Sequence, residues 1–166
     1  MNDIFFSGII SLVIDLDKVY LDNFVLEDYD EFDYNHKCTI MELSNDIDAR
    51  NYLYDVKGKM DAVKRRSEDD PLNLAYVAFY NDYPIGIITL SYINREYYIS
   101  YGILPEYRKQ YLASLLLQEF SEYLFTTYPE IDSLNLSIVE KNTGSVHTPK
   151  RVGYERITNT RYSMKR

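Results

Sequence analysis

An α/β (α+β) fold, with a mixed, mostly antiparallel central sheet and helices on both faces, is predicted by three features of this sequence. Three β-rich runs, 74–80, 85–93 and 97–104, follow one another with only short turns between them, so neighbouring runs are antiparallel. Directly after the third run the apolar residues change to helical spacing, at Leu112, Leu115, Leu116, Phe120, Tyr123 and Leu124. Helical patterns also precede the strands, so both faces of the sheet acquire a cover. The 166 residues suit one domain, 1–166, with enough chain to bury a core unaided.

Taken in order, 9–14 and 18–24 read as strands joined as a hairpin across Leu16-Asp17. Segment 25–32 reads as a short helix with acids in its first turn. Ser44 or Asn45 is placed to cap a longer helix over 46–66. Its apolar side is Ile47, Tyr52, Leu53, Val56, Met60 and Val63, and Gly58 weakens or splits it. Residues 67–71 are a loop by composition. Turns are expected at 81–84 and at Asn94-Arg95, and Pro105 ends the 97–104 strand because proline cannot donate to a ladder. Pro129 stops the helix that follows. A strand over 133–139, a short helix over 142–152 and a hairpin of 154–157 with 162–165 complete the chain.

Composition narrows the function. A net charge of −8 argues against a nucleic-acid partner. The charge is uneven: residues 1–70 hold 17 acids and 8 bases, and 147–166 hold 1 acid and 6 bases. The acidic half suits attraction of an amine, or simply solubility. One cysteine, Cys38, excludes an internal disulfide and fits a cytoplasmic location. No stretch reaches the roughly 20 apolar residues of a membrane span, and the start lacks the basic region of a signal peptide. His36 and His147 are isolated, with surface or capping roles expected, and Cys38 has no activating neighbours, so no metal is implied.

The stretch that carries chemistry is 97–125, where a strand runs through the basic turn Arg108-Lys109-Gln110 into a helix. The first helical N–H groups lack intrahelical partners and the dipole adds positive charge, which together suit a phosphate. Leu104-Pro105-Glu106-Tyr107-Arg108-Lys109-Gln110-Tyr111-Leu112-Ala113 resembles the acyl-CoA-binding segment of the GNAT superfamily of N-acetyltransferases. Arg108 and Ala113 match the pattern Arg/Gln-x-x-Gly-x-Gly/Ala. Tyr111 stands where the family has glycine. A second segment, Asn142, Ser145, Gly153 and Tyr154, matches at the family's spacing. Phe24-Val25-Leu26-Glu27-Asp28 is similar to the segment that follows the family's first strand.

The resemblance implies an enzyme that transfers an acetyl group from acetyl-CoA, its co-substrate, to a primary amine, a small molecule or a protein N-terminus, by direct attack. Pantetheine would bond the backbone of Tyr101 and Ile103, between the strands at 97–104 and 133–139. The diphosphate would take N–H groups of Lys109, Gln110, Tyr111, Leu112, Ala113 and Ser114, with charge from Arg108 and Lys109. Asn142 would cap its helix and bond pantetheine, and the Ile103 N–H would receive the oxyanion. The family's general-acid tyrosine falls at Pro149, which has no proton to give. Asn142-x-x-Ser145 instead matches the branch that acetylates ribosomal-protein N-termini, with Ser145 as acid. Tyr98 occupies the place of the family's glutamate base, and Glu96 and Glu140 are the carboxylates nearby. Tyr98 and Tyr101 point to opposite faces of their strand. Homodimers are common in the family. The competing reading is a degenerate member with weak or no CoA binding that serves as an interaction module.

Overall fold

A computed structural model describes residues 17–53 and 55–166. In chain order these form β1 (Lys18–Tyr20), β2 (Val25–Asp28), α1 (Tyr34–Asn45), α2 (Ile47–Leu53) and α3 (Val56–Arg66). Then come β3 (Leu74–Tyr80), β4 (Tyr83–Ile93), β5 (Glu96–Ile103) and α4 (Leu112–Thr127). Last are β6 (Ser133–Ser137), α5 (Thr148–Val152), β7 (Glu155–Arg156) and β8 (Arg161–Lys165). The strands make one sheet in the order β1-β2-β3-β4-β5-β6-β8-β7. Every pairing is antiparallel except β5 with β6.

The β3–β4 and β4–β5 hairpins follow from turn chemistry. Asn81-Asp82 and Asn94-Arg95 have φ of 49° and 67°, and 52° and 66°, the left-handed pair that matches strand twist in a two-residue loop. Helices cover both faces as expected. On one, Leu116, Leu117, Phe120 and Leu124 of α4 pack on Tyr76, Ile88, Leu90, Ile99 and Ile103. On the other, Ile40, Leu43, Val56, Met60 and Val63 pack on Ala75, Val77 and Ile87.

The N-terminal third differs from expectation. Val25–Asp28 is a strand, not the start of a helix, because Leu26 is fully buried and β3 supplies a ladder from Val25↔Phe79 to Asp28↔Tyr76. Its acids pair outward, Glu27 with Lys18 at 3.0 Å and Asp28 with Lys64. The 18–24 strand stops at Tyr20, and Leu21 N–H bonds Phe24 O at 2.8 Å to turn the chain. The 9–14 strand and the hairpin at Leu16 lie outside the described residues.

Helix α1 had no apolar signal, because its buried face, His36, Thr39, Ile40 and Leu43, is half polar. His36 is 3% exposed rather than at the surface, with Nδ1 accepting from Asp30 N–H and Nε2 3.1 Å from Glu27. The 46–66 helix breaks before Val56, not at Gly58, because two aspartates each cap a start. Asp46 accepts from Ala49 N–H at 2.7 Å, replacing Ser44 and Asn45 in that role, and Asp55 accepts from Gly58 N–H at 2.9 Å. A Cβ at Gly58 would lie 2.2 Å from the Asp55 carboxylate, so the glycine serves that cap. The 142–152 helix shortens to α5, with Thr143, Gly144 and Ser145 in turns. These residues are weak helix formers.

Candidate active site

β5 and β6 meet in register at one pair, Tyr98↔Asn135. The fully buried Asn135 replaces a ladder bond there, its Nδ2 donating to Tyr97 O at 3.1 Å. Beyond that point no pairing joins the two strands, and a gap opens between them. Leu104 N–H bonds Ile85 O at 2.8 Å on the β4 side. Backbone groups alternate in direction along a strand, so those of Ile103 and Tyr101 face the gap.

The chain leaves β5 through a 3₁₀ turn, Pro105–Tyr107, and enters α4 by two left-handed residues, Lys109 and Tyr111, each with φ of 61°. After Arg108 N–H, which bonds Pro105 O at 3.2 Å, the next amide to find an acceptor is that of Leu115, on Tyr111 O at 3.0 Å. Among the described residues, the amides of Lys109, Gln110, Tyr111, Leu112, Ala113 and Ser114 have none. They surround the positive end of a 16-residue helix. Tyr111 therefore adopts the conformation that glycine favours, at a cost of about 1–2 kcal/mol. Its ring is 68% exposed and lies against Arg151 of α5, 4.8 Å from guanidinium carbon to ring centre. Six free amides, with that ring drawn aside, fit a diphosphate.

Arg108 does not point outward as a phosphate ligand. Its Nε donates to Ile103 O at 2.9 Å, and its guanidinium reaches Asp46 at 2.7 Å and Asp48 at 3.6 Å. The bond from Arg108 holds the Asp46 carboxyl below the usual carboxylate range. Arg108 thus ties the loop to the end of β5 and to the cap of α2. Lys109 is exposed, and Gln110 Nε2 donates back to Glu106 O at 2.9 Å.

On the far side of the gap, Asn142 Oδ1 accepts from Ser145 N–H at 3.2 Å. Gly153, at φ 102°, ends α5, and the Tyr154 hydroxyl lies 2.7 Å from Ser121 Oγ on α4. The Ser145 and Thr148 hydroxyls adjoin that of Tyr101, which is buried, lacks a well-formed hydrogen bond, and is raised above the usual tyrosine range, first by burial. Glu96 receives a hydrogen bond from the Tyr98 hydroxyl at 2.8 Å and an ion pair from Arg161 at 2.5 Å. Tyr98 first, then Arg161, holds the Glu96 carboxyl below its usual range, and the same bond to Glu96 raises Tyr98. Glu140 is exposed and pairs with Arg156 at 2.8 Å.

Sequence reasoning missed Asp46, Arg161 and the Tyr101 hydroxyl. Asp46 carried a signal, an aspartate directly ahead of an apolar helical run. Arg161 carried none, since it reaches Glu96 across 65 residues. Among the described residues no group of three or more His, Cys, Asp or Glu side chains is placed to hold a metal ion. None of their helices is long and apolar enough to cross a membrane.

A mixed sheet splayed between β5 and β6, with free amides at the start of the crossover helix, is an arrangement suited to a phosphate-bearing ligand. The profile of the acetyltransferase (GNAT) family matches residues 27–154. The chain belongs to that family and is an acetyltransferase. Among solved structures, an acetyltransferase from Agrobacterium tumefaciens str. C58 superposes with a TM-score of 0.73 at 12% identity, covering 93% of this chain and 98% of that one. RimL, a ribosomal-protein alpha-N-acetyltransferase, gives 0.71 at 14%, covering 90% and 94%. An aminoglycoside acetyltransferase in complex with coenzyme A gives 0.66 at 15%, covering 86% and 95%. At these identities the likeness is one of fold. A search of curated protein sequences finds no match.

Proposed function

We propose that this protein transfers the acetyl group of acetyl-CoA to a primary amine, on a small molecule or a protein N-terminus, by direct attack. The observation that carries the reading is the set of unpaired amides at 109–114 beside the gap between β5 and β6. Those amides, with exposed Lys109, would hold the diphosphate. The gap-facing backbone of Tyr101 and Ile103, and the Asn142 amide, would hold pantetheine, with the Ile103 N–H aimed at the developing oxyanion. Arg108 positions that N–H indirectly, by holding Ile103 O and the loop together.

The acceptor enters from the face covered by α1 to α3, where Tyr98, Glu96 and Arg161 form one hydrogen-bonded group. Glu96 is kept ionised there, so it draws the amine electrostatically and takes its proton through water. Glu140, paired with Arg156 in solvent, has no part in this proposal. The acidic half of the chain adds attraction for a cationic acceptor. Asn142-x-x-Ser145 favours a protein N-terminus, the kind of acceptor on which RimL acts. A lone exposed Cys38 fits a reducing compartment such as the cytoplasm.

Tyr111 and Pro149 favour a second reading, a fold that has lost CoA and serves as an interaction module. Thermal unfolding with and without acetyl-CoA separates the two. Saturation at about a hundred times Kd adds about 2.7 kcal/mol, which raises Tm by roughly 5–10 °C at this size. No shift at millimolar acetyl-CoA sinks the transferase reading.

A further inference from the structure

We propose that the acceptor carries a carboxylate beside its amine, and that Lys59 and Arg66 of α3 bind that carboxylate. This acceptor class rests on the acetyl-transfer reading above. The two flanks of α3 differ in how their cations are matched. On the flank toward β2 both lysines are answered: Lys57 meets Asp61 at 2.6 Å, and Lys64 meets Asp28. Glu27, Asp30, Glu31 and Asp33 gather on that side as well, around one hollow. Lys59 and Arg66 stand on the other flank, about two turns apart along the helix. Among the described residues neither has a carboxylate within ion-pair distance. Lys59 is half-buried, so its charge is unanswered where water is scarce. Burial first, and then the charge of Arg66, lowers its ammonium below the usual lysine range. An anion bound to the two cations offsets both effects.

That flank faces the acceptor side of the gap. Arg66 Nη2 donates to Ser91 Oγ of β4 at 3.4 Å, and Ser91 pairs in register with Tyr98 of β5. Opposed residues of an antiparallel pair share a sheet face. It is the face under α1 and α2, where a Cβ on Gly102 would meet Leu53 and Leu43. Tyr98 and Asn135 are the one registered pair before β5 and β6 part, and Tyr98 donates to Glu96. Arg161 is already paired with Glu96. The cleft therefore offers one carboxylate for the amine and two cations without a carboxylate, the complement of a zwitterion rather than of a simple amine. In the transfer the amine nitrogen bonds the acetyl carbon, and the carbon–sulfur bond breaks with its electron pair leaving on sulfur. The proton shed by the amine passes through water to Glu96 and on to solvent, from which the CoA thiolate takes one. The acceptor carboxylate changes no bond; held by Lys59 and Arg66, it fixes where the amine sits.

The test offers four amines as acceptors with acetyl-CoA: alanine and alaninamide, and the peptide amides Asp-Ala-NH2 and Asn-Ala-NH2. Each pair differs by one carboxylate, and kcat/KM is expressed per neutral amine. The acid of at least one pair should exceed its amide by roughly ten-fold. Which pair responds tells a free amino acid from an acidic chain terminus. In Lys59→Gln and in Arg66→Gln that ratio should fall toward unity, while KM for acetyl-CoA is unchanged. Lys59→Gln removes an unanswered half-buried charge, so it should fold at least as stably as the wild type. Should it not fold, Arg66→Gln and the wild-type ratios decide. Amides that match or exceed their acids in both pairs, or a preference that survives both variants, overturn the proposal. Failure to acetylate any of the four by protein that binds CoA in calorimetry overturns it too, and leaves the acetyl-CoA reading standing. A protein that binds no CoA defeats that reading, and this inference with it.

Discussion

Replacing Tyr111 by glycine and, separately, by alanine isolates the backbone strain at the mouth of α4. Both changes delete the ring and its contact with Arg151 equally, so that contact cancels from the comparison. What remains is the backbone at φ 61° and ψ 7°. In the left-handed region a Cβ costs about 1–2 kcal/mol, against which glycine loses about 0.5–1 kcal/mol through its freer unfolded chain. The glycine variant should therefore be the more stable by about 0.5–1 kcal/mol. At this chain length that is a Tm higher by roughly 1–4 °C. At an ordinary negative φ the order reverses, since alanine then wins by its lower unfolded entropy. Urea unfolding of the two proteins, fitted with a common m-value, reads the difference directly. An alanine variant as stable as the glycine variant, or more so, refutes the left-handed assignment. It would also remove the argument that the loop aims its amides as glycine would.

Three further predictions concern struts rather than strain. Arg108→Ala and Asp46→Asn should each destabilise the protein, with a double-mutant coupling of about 1 kcal/mol for a partly exposed charged bond. Additive losses would show that the pair does not hold. The depressed Asp46 carboxyl stabilises the fold above the unfolded aspartate pKa of about 3.9, and that stability is lost as pH falls through the folded value. The gap between wild type and Arg108→Ala should therefore narrow below about pH 4, and a constant gap down to pH 2 would refute the linkage. Arg166→Ala should cost about 1 kcal/mol, because its guanidinium donates to Phe125 O at 2.5 Å in the last turn of α4 and to Tyr128 O at 2.7 Å and Ile131 O at 2.9 Å beyond it. Unchanged urea unfolding would show that water satisfies those carbonyls equally well.

The sheet centre and the helix after it were legible in advance because their signals are local. Asn81-Asp82 and Asn94-Arg95 set two-residue turns, and alternation on β3 to β5 set the faces. The apolar spacing from Leu112 to Leu124 set α4. The strand, basic turn and helix in direct succession at 97–125 were legible for the same reason. Segment 25–32 misled because Leu-Glu-Asp suits a helix start as well as a strand, and only the ladders with β1 and β3 decide between them. Helix α1 went unseen because burial of His36 depends on partners outside it, Glu27 and Asp30 N–H, that make its polar atoms tolerable inside.

By itself, then, the sequence determined the strand succession, the tight turns and the crossover helix. Each of these follows from backbone preferences and periodicity within a few residues. Tertiary structure alone decided that Arg108 turns inward to Asp46, that Arg161 engages Glu96, and that the Tyr101 hydroxyl is buried next to Ser145 and Thr148. A long polar side chain has many acceptors within reach, and which one it takes is fixed only when the fold brings distant segments together.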